Sequence, residues 1–343
     1  MHNKQLRRVL AAAGVIGMAG LSAAPASAQE VNLYTTREPG LIQPLLDAFT
    51  EETGIEVNSI FVRDGLAERV AAEGERSPAD VLMTVDFGNL IDLVEKGLTQ
   101  PVRSDVLDEA VPANLRGEDG HWYTLSMRAR VLYAAKDLEL SAFNYEQLDD
   151  PEWRDSLCIR SGQHPYNTAM IGAHIVHHGE AATEAWLEGM KENLARAATG
   201  GDRDVARDIM GGICDIGVGN SYYVGLMRSG RGGPEQERWA DAIKVILPTF
   251  EGGGTHVNIS GAAVARYSPN EDEAVQLLEY LVSDAAQKLY AEANFEYPVK
   301  EGAQIDPIIA ALGELNVDSI PLTDVARNRD VASRLVDRVG FDQ

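Results

Sequence analysis

The stretch VNLYTTREPGLIQPLLDAFTEETGIEVNSIFV (31–62) reads as strand, helix, strand. Val31 to Thr35 is a short β-rich run. Leu41, Ile42, Leu45, Leu46 and Phe49 then fall on one stripe at helical spacing. Pro39 suits the first turn of that helix and Gly54 its C-terminal cap. Ile55 to Val62 returns to a β pattern. DVLMTV (80–85) starts the unit again, feeding a helix around Leu90 to Lys96 that stops at Gly97. This alternation predicts a doubly wound α/β lobe.

Further along, WYTLSMRARVLYAAK (122–136) is β-rich and carries no amphipathic helix. A second α/β lobe follows, with strands expected at Leu157 to Ile159 and Ile213 to Gly219. Helices are expected from about Thr168 and through Trp186. Another β segment, His256 to Arg266, comes after Gly252-Gly253-Gly254, which reads as a flexible crossing. A helix then places Ala274, Leu277, Leu278 and Leu281 on one face. Two β-rich crossings around a middle lobe predict hinge architecture, with a ligand in the central cleft. The expected division is residues 29–128 with 255–300 in one lobe, and 129–254 with 301–343 in the other.

Residues 1–28 precede this pattern. Lys4, Arg7 and Arg8 form a basic head, Val9 to Leu21 a short apolar run, and Ala26-Ser27-Ala28 a small-residue cleavage site. That is a secretory signal peptide cleaved near Ala28, too short and wrongly flanked to span a membrane. Arg7-Arg8 also raises twin-arginine export. The 343 residues hold 53 Asp and Glu against 30 Lys and Arg, a formal charge of −23. Such acidity argues against nucleic acid or an anionic membrane surface as partner. Export to an oxidising compartment allows Cys158 and Cys214 to bridge, which would brace the segments they start. Whether their Cα atoms lie close enough is a matter of tertiary structure.

Catalytic motifs are missing: there is no GxSxG elbow, no phosphate-binding loop and no Rossmann glycine pattern. His174 and His178 are four apart on a helix but lack an HExxH context, and read as surface histidines. Asp86 reads as an N-terminal helix carboxylate. The suggestive residues are Tyr166, in RSGQHPYNTA (160–169), and Tyr222-Tyr223, closing CDIGVGNSYY (214–223). Each follows a short strand and a polar Gly-containing turn, where open α/β sheets present ligand groups. Three phenol oxygens converging there would make a hard anionic cage suited to ferric iron. Adjacent tyrosines also suit core packing or an aromatic platform for an organic or oxyanionic solute. A secreted metal-dependent hydrolase is a further alternative, for which the sequence supplies no convincing general base.

YTTREPGLIQPLLDAF (34–49), PADVLMTVDFGNL (78–90), WYTLSMRARVLY (122–133), CDIGVGNSYY (214–223), THVNISGAAV (255–264) and NFEYPV (294–299) resemble, in order, sequence blocks of the periplasmic ferric-iron-binding proteins of bacterial ABC importers. The resemblance implies a two-lobed type II periplasmic-binding-protein fold and no enzymatic activity. It also implies a monomer in the periplasm that captures ferric iron, free or chelated, and passes it to an inner-membrane ABC permease with its ATPase. Position by position, the tyrosine ligands fall on Tyr166, Tyr222 and Tyr223. One subgroup has a His-Tyr pair where this chain has Glu38-Pro39. The transferrin-like subgroup takes a His from the first turn and a Glu near Asp86, and neither is matched. The likeness is therefore to the subgroup using three tyrosines, with carbonate, another small anion or water completing the shell. Arg37 and Arg128 fit the positions that hold the anion, and Arg130 is a weaker candidate.

Overall fold

The computed structural model describes residues 29–343, and the expected leader over 1–28 lies outside the described residues. Ten strands run in chain order: β1 (Glu30–Thr35), β2 (Glu56–Phe61), β3 (Val81–Thr84), β4 (Thr99–Gln100), β5 (Tyr123–Ala135), β6 (Leu157–Cys158), β7 (Ile216–Asn220), β8 (Ile243–Ile246), β9 (Val257–Ala265) and β10 (Tyr297–Pro298). β2, β1 and β3 pair in parallel, β9 runs antiparallel to β3, and β5 antiparallel to β9. The far half of β5 pairs with β7 and β8 instead, and β6 adds in parallel to β7.

β5 is the element that joins the two sheets. Arg128 and Ala129 lie opposite Asn258 and Val257 of β9, whereas Arg130 lies opposite Asn220 of β7. The strand changes partner between adjacent residues. Nearly every β5 residue is buried, which explains why WYTLSMRARVLYAA shows no clean polar–apolar alternation. Arg128 and Arg130 are two apart, so they leave β5 on the same face.

The first helix, Pro39–Thr53, buries Ile42, Leu45, Leu46 and Phe49 as the stripe requires, with Pro39 in its first turn and Gly54 closing it. Leu41 departs from the expected stripe and is 37% exposed. It precedes Ile42 by one residue, and neighbours on a helix diverge by about 100°. The helix Phe87–Glu95 is capped by Asp86, whose carboxylate accepts the Asn89 N–H at 3.2 Å. In the other sheet's layer, helix Arg329–Val339 packs on helices Pro165–His178 and Glu180–Glu192.

Three expectations need correction. His174 is not a surface residue: it is 3% exposed, stacked 4.2 Å from the Trp186 ring, with Nδ1 2.8 Å from the Thr183 hydroxyl. The strand expected from Ile213 begins at Ile216, leaving Cys214 just ahead of it. The glycine run is open at one end and packed at the other: a Cβ on Gly252 would meet nothing within 4 Å, whereas Gly254 is buried against residues 316–318. Thr255 donates to the Asn316 carbonyl at 2.7 Å, and a Cβ on Gly254 would fall 2.6 Å from that same oxygen.

Candidate metal centre

β7 passes directly into the helix Ser221–Arg228, with Asn220 at its N-cap, so Tyr222 and Tyr223 occupy the helix's first turn. Regular strand would have sent them to opposite faces. Here their ring centroids lie 4.0 Å apart, tilted by 33°. Tyr166 is likewise in a first turn, that of helix Pro165–His178. His164 caps that helix: its Nδ1 accepts the Tyr166 N–H at 3.2 Å, and the two rings sit edge to face at 4.6 Å. All three tyrosines therefore belong to helix first turns, the end of a helix that favours negative charge.

The three tyrosines form one electrostatic cluster. Burial pushes the Tyr222 phenol well above its ordinary value, and Tyr166 and Tyr223 push it further, while Arg128 opposes them. Tyr223 is also raised, by burial first and then by Tyr166. Both phenols hold their protons at neutral pH, so only a nearby cation would ionise them. Among the described residues, no group of three or more His, Cys, Asp or Glu is placed to hold a metal ion.

One buried arginine anchors both tyrosine turns. Arg130 donates from Nη1 to Asp202 Oδ2 at 2.7 Å and to Asn220 Oδ1 at 3.0 Å, and from Nη2 to Asn167 Oδ1 at 2.6 Å. Asn167 adjoins Tyr166, and Asn220 caps the helix of Tyr222 and Tyr223. Asp202 Oδ2 also accepts the Asn220 N–H at 2.8 Å, while Arg160 reaches Asp202 Oδ1 at 3.2 Å. The Arg160 guanidinium sits 5.4 Å from the Tyr166 ring centre. The Cys158–Cys214 bridge spans 5.9 Å between Cα atoms and ties β6 to the segment just ahead of β7.

The anion candidates lie around a carboxylate that the sequence did not single out. Arg37, 3% exposed, donates from Nη2 to both oxygens of Glu296 at 3.0 Å and to Ser260. Arg128 donates from Nη1 to Ser260 at 3.0 Å and to Glu296 at 3.3 Å, and from Nη2 to the carbonyls of Ile259 at 2.8 Å and Val85. Ser126 donates to the other Glu296 oxygen. Burial works to raise Glu296, but Arg37, Arg128 and Ser126 override it and hold the carboxyl below its usual range. Burial likewise opposes the Arg128 charge, and Glu296, Tyr166, Tyr222 and Asp86 together outweigh it. Arg128 thus feels both tyrosine turns and the Glu296 cluster.

Sequence reasoning missed Glu296, Asp202, Asn167 and Asn220. NFEYPV and GNSYY contain two of them, yet nothing in those strings says which arginine each meets. Arg130, weighed as an anion ligand, directs Nη1 to Asp202 and Asn220 and Nη2 to Asn167, while its buried Nε has no partner among the described residues.

Two α/β sheets joined through one long strand, with polar side chains gathered where that strand changes partner, define a solute-binding protein. Residues 76–310 match the family of bacterial extracellular solute-binding proteins. A Bordetella ferric binding protein superposes with a TM-score of 0.89 at 63% identity, covering 92% of this chain and 100% of that one. A Trichodesmium protein solved in complex with iron and citrate gives 0.87 at 39% identity, covering 91% and 99%. Iron uptake protein A2 of Synechocystis is 41% identical over 325 residues, covering 93% of this chain and 92% of its own length. The chain belongs to the ferric iron-binding periplasmic solute-binding proteins, which carry a ligand rather than transform one.

Proposed function

We propose that this protein captures ferric iron on the phenolates of Tyr166, Tyr222 and Tyr223, with a small exogenous anion or water completing the shell. The observation that carries this reading is that the two helix first turns bearing the three tyrosines are held together by one buried guanidinium, Arg130, through Asn167 and Asn220. Oxygen donors suit a hard trivalent ion, and three phenolates match its charge without leaving a large net charge buried. Carbonate is the simplest anion, and Arg37 and Arg128 are the cations that would face it. A small carboxylate is the next choice, because the Trichodesmium relative was solved in complex with iron and citrate.

The moving halves in this reading are 29–128 with 255–300, and 129–254 with 301–343. They meet where β5 changes partner. Closure would exclude water and strengthen each charge interaction in the cleft. The closed pair would then dock on an inner-membrane ABC permease, coupling occupancy to delivery. The leader would be removed near Ala28 on export.

A visible absorbance titration of the metal-stripped mature protein with ferric citrate, with and without bicarbonate, tests this. A saturable phenolate-to-iron charge-transfer band at one iron per chain is expected. A folded protein that binds iron without that band would remove tyrosine from the ligand set.

A further inference from the structure

Arg37 and Arg128 are not equivalent once their donors are counted. A guanidinium carries five N–H groups, two on each terminal nitrogen and one on Nε. Both Nη1 hydrogens of Arg128 have acceptors in Ser260 and Glu296, and both Nη2 hydrogens have acceptors in the Val85 and Ile259 carbonyls. Only its buried Nε is unmatched. Arg37 differs. Its Nη2 alone meets Glu296 and Ser260, and among the described residues neither Nη1 nor the buried Nε has a partner. Of the two arginines, Arg37 alone keeps a terminal nitrogen free for an added anion.

Glu296 creates this asymmetry. It is 4% exposed, accepts from both guanidiniums and from Ser126, and stands as a fixed carboxylate between two buried cations. Its chain neighbour locks it to the iron-binding side. Phe295 sits in the left-handed region at φ 57°, rare for a residue with a side chain, and its ring lies against Gly225 of the helix bearing Tyr222 and Tyr223. A Cβ on Gly225 would fall 2.3 Å from Phe295 Cγ, so the two segments are in direct register.

We propose that Glu296 is a built-in counter-anion and positioning residue, which fixes Arg37 with Nη1 open to the exogenous anion while Arg128 contributes charge alone. This rests on the tyrosine-and-anion reading above. A Glu296→Gln change keeps the shape but sets an amide N–H₂ against one guanidinium and removes the counter-charge. Arg37 would lose its fixed orientation, and the anion its prepared donor.

The experiment is the ferric charge-transfer titration of the full mature chain at stepped bicarbonate concentrations, for wild type, Glu296→Gln and Ser126→Ala. In Glu296→Gln the bicarbonate needed for half the full band is expected to rise about tenfold, the scale of one charge-assisted hydrogen bond. The full band at saturating bicarbonate should be retained, which general structural damage would not allow. Ser126→Ala removes only the hydroxyl that donates to Glu296, should shift the requirement the same way by about threefold, and decides alone if Glu296→Gln does not fold. An unchanged or lowered bicarbonate requirement in the folded variants overturns the proposal. A wild-type band indifferent to bicarbonate overturns it too, yet leaves the tyrosines in place. No wild-type band at all overturns the tyrosine reading and this proposal with it.

Discussion

Arg130 Nη2 donates to Asn167 Oδ1 at 2.6 Å, from the middle of β5 to the residue beside Tyr166. Through Nη1 the same guanidinium reaches Asp202 and Asn220, so the two tyrosine turns share one buried support. Their relative placement therefore depends on a residue that touches neither phenol.

Arg130→Gln should be costly for this reason. Removing one partner of a buried pair leaves Asp202 short of charge, at about 3 kcal/mol or more. Urea unfolding of the metal-free protein should show the loss, and ferric affinity should fall with it as the turns drift apart. A midpoint no lower than that of a variant in an exposed arginine such as Arg238 would show that the network carries no weight.

Tyr166→Phe, Tyr222→Phe and Tyr223→Phe should each weaken ferric binding and move the visible band, while leaving the urea midpoint nearly in place. Tyr222 and Tyr223 are neutral in the metal-free protein, so phenylalanine removes a hydroxyl rather than a buried charge. Three variants with wild-type iron complexes would end the case for a phenolate cage.

Acid should act on both iron and fold. Tyr222 and Tyr223 start protonated, so ferric capture should release at least two protons, and affinity should fall as pH drops. His164 adds a second effect. Burial, then Arg160 and Arg130, lower it from 6.5 to about 4. A lowered folded value means the unfolded chain takes the proton first. The His164 contribution to stability is thus complete above about pH 6.5 and lost as pH falls toward 4. Protonated Nδ1 can no longer accept the Tyr166 N–H, so the same step should loosen a ligand turn. Proton uptake by pH-stat and urea midpoints between pH 7 and 4 measure the two effects; a flat response in both would refute this account.

The Cys158–Cys214 bridge closes a loop with a sequence separation of 56 that contains Tyr166 and ends shortly before Tyr222. Chain-entropy arguments put its contribution at about 4 kcal/mol. Replacing both cysteines with serine should lower the urea midpoint by a matching amount and weaken iron binding by loosening both turns. Unaltered iron affinity in the folded double variant would confine the bridge to a stability role.

Local pattern and tertiary arrangement divide cleanly in this protein. The helix Pro39–Thr53 was legible because its buried face repeats at helical spacing and its ends carry Pro39 and Gly54. Gly219-Asn220-Ser221 reads as a polar turn, whereas β7 runs through Asn220 directly into the helix whose first turn holds Tyr222 and Tyr223. His174 was misjudged because burial depends on Trp186, which arrives from a different helix. Glu296 was passed over because an isolated Glu in NFEYPV looks like any solvated carboxylate.

The sequence by itself determined the α/β lobes, the β-rich crossings, the tyrosine turns and the family likeness, since each is written in contiguous residues. Only the tertiary structure decided that Arg130 supports the tyrosines, that Glu296 holds Arg37 and Arg128, and that Cys158 meets Cys214. Those pairings join residues up to 259 positions apart. A hydrogen-bond partner is selected by where strands lie in space, and neighbouring sequence carries no record of it.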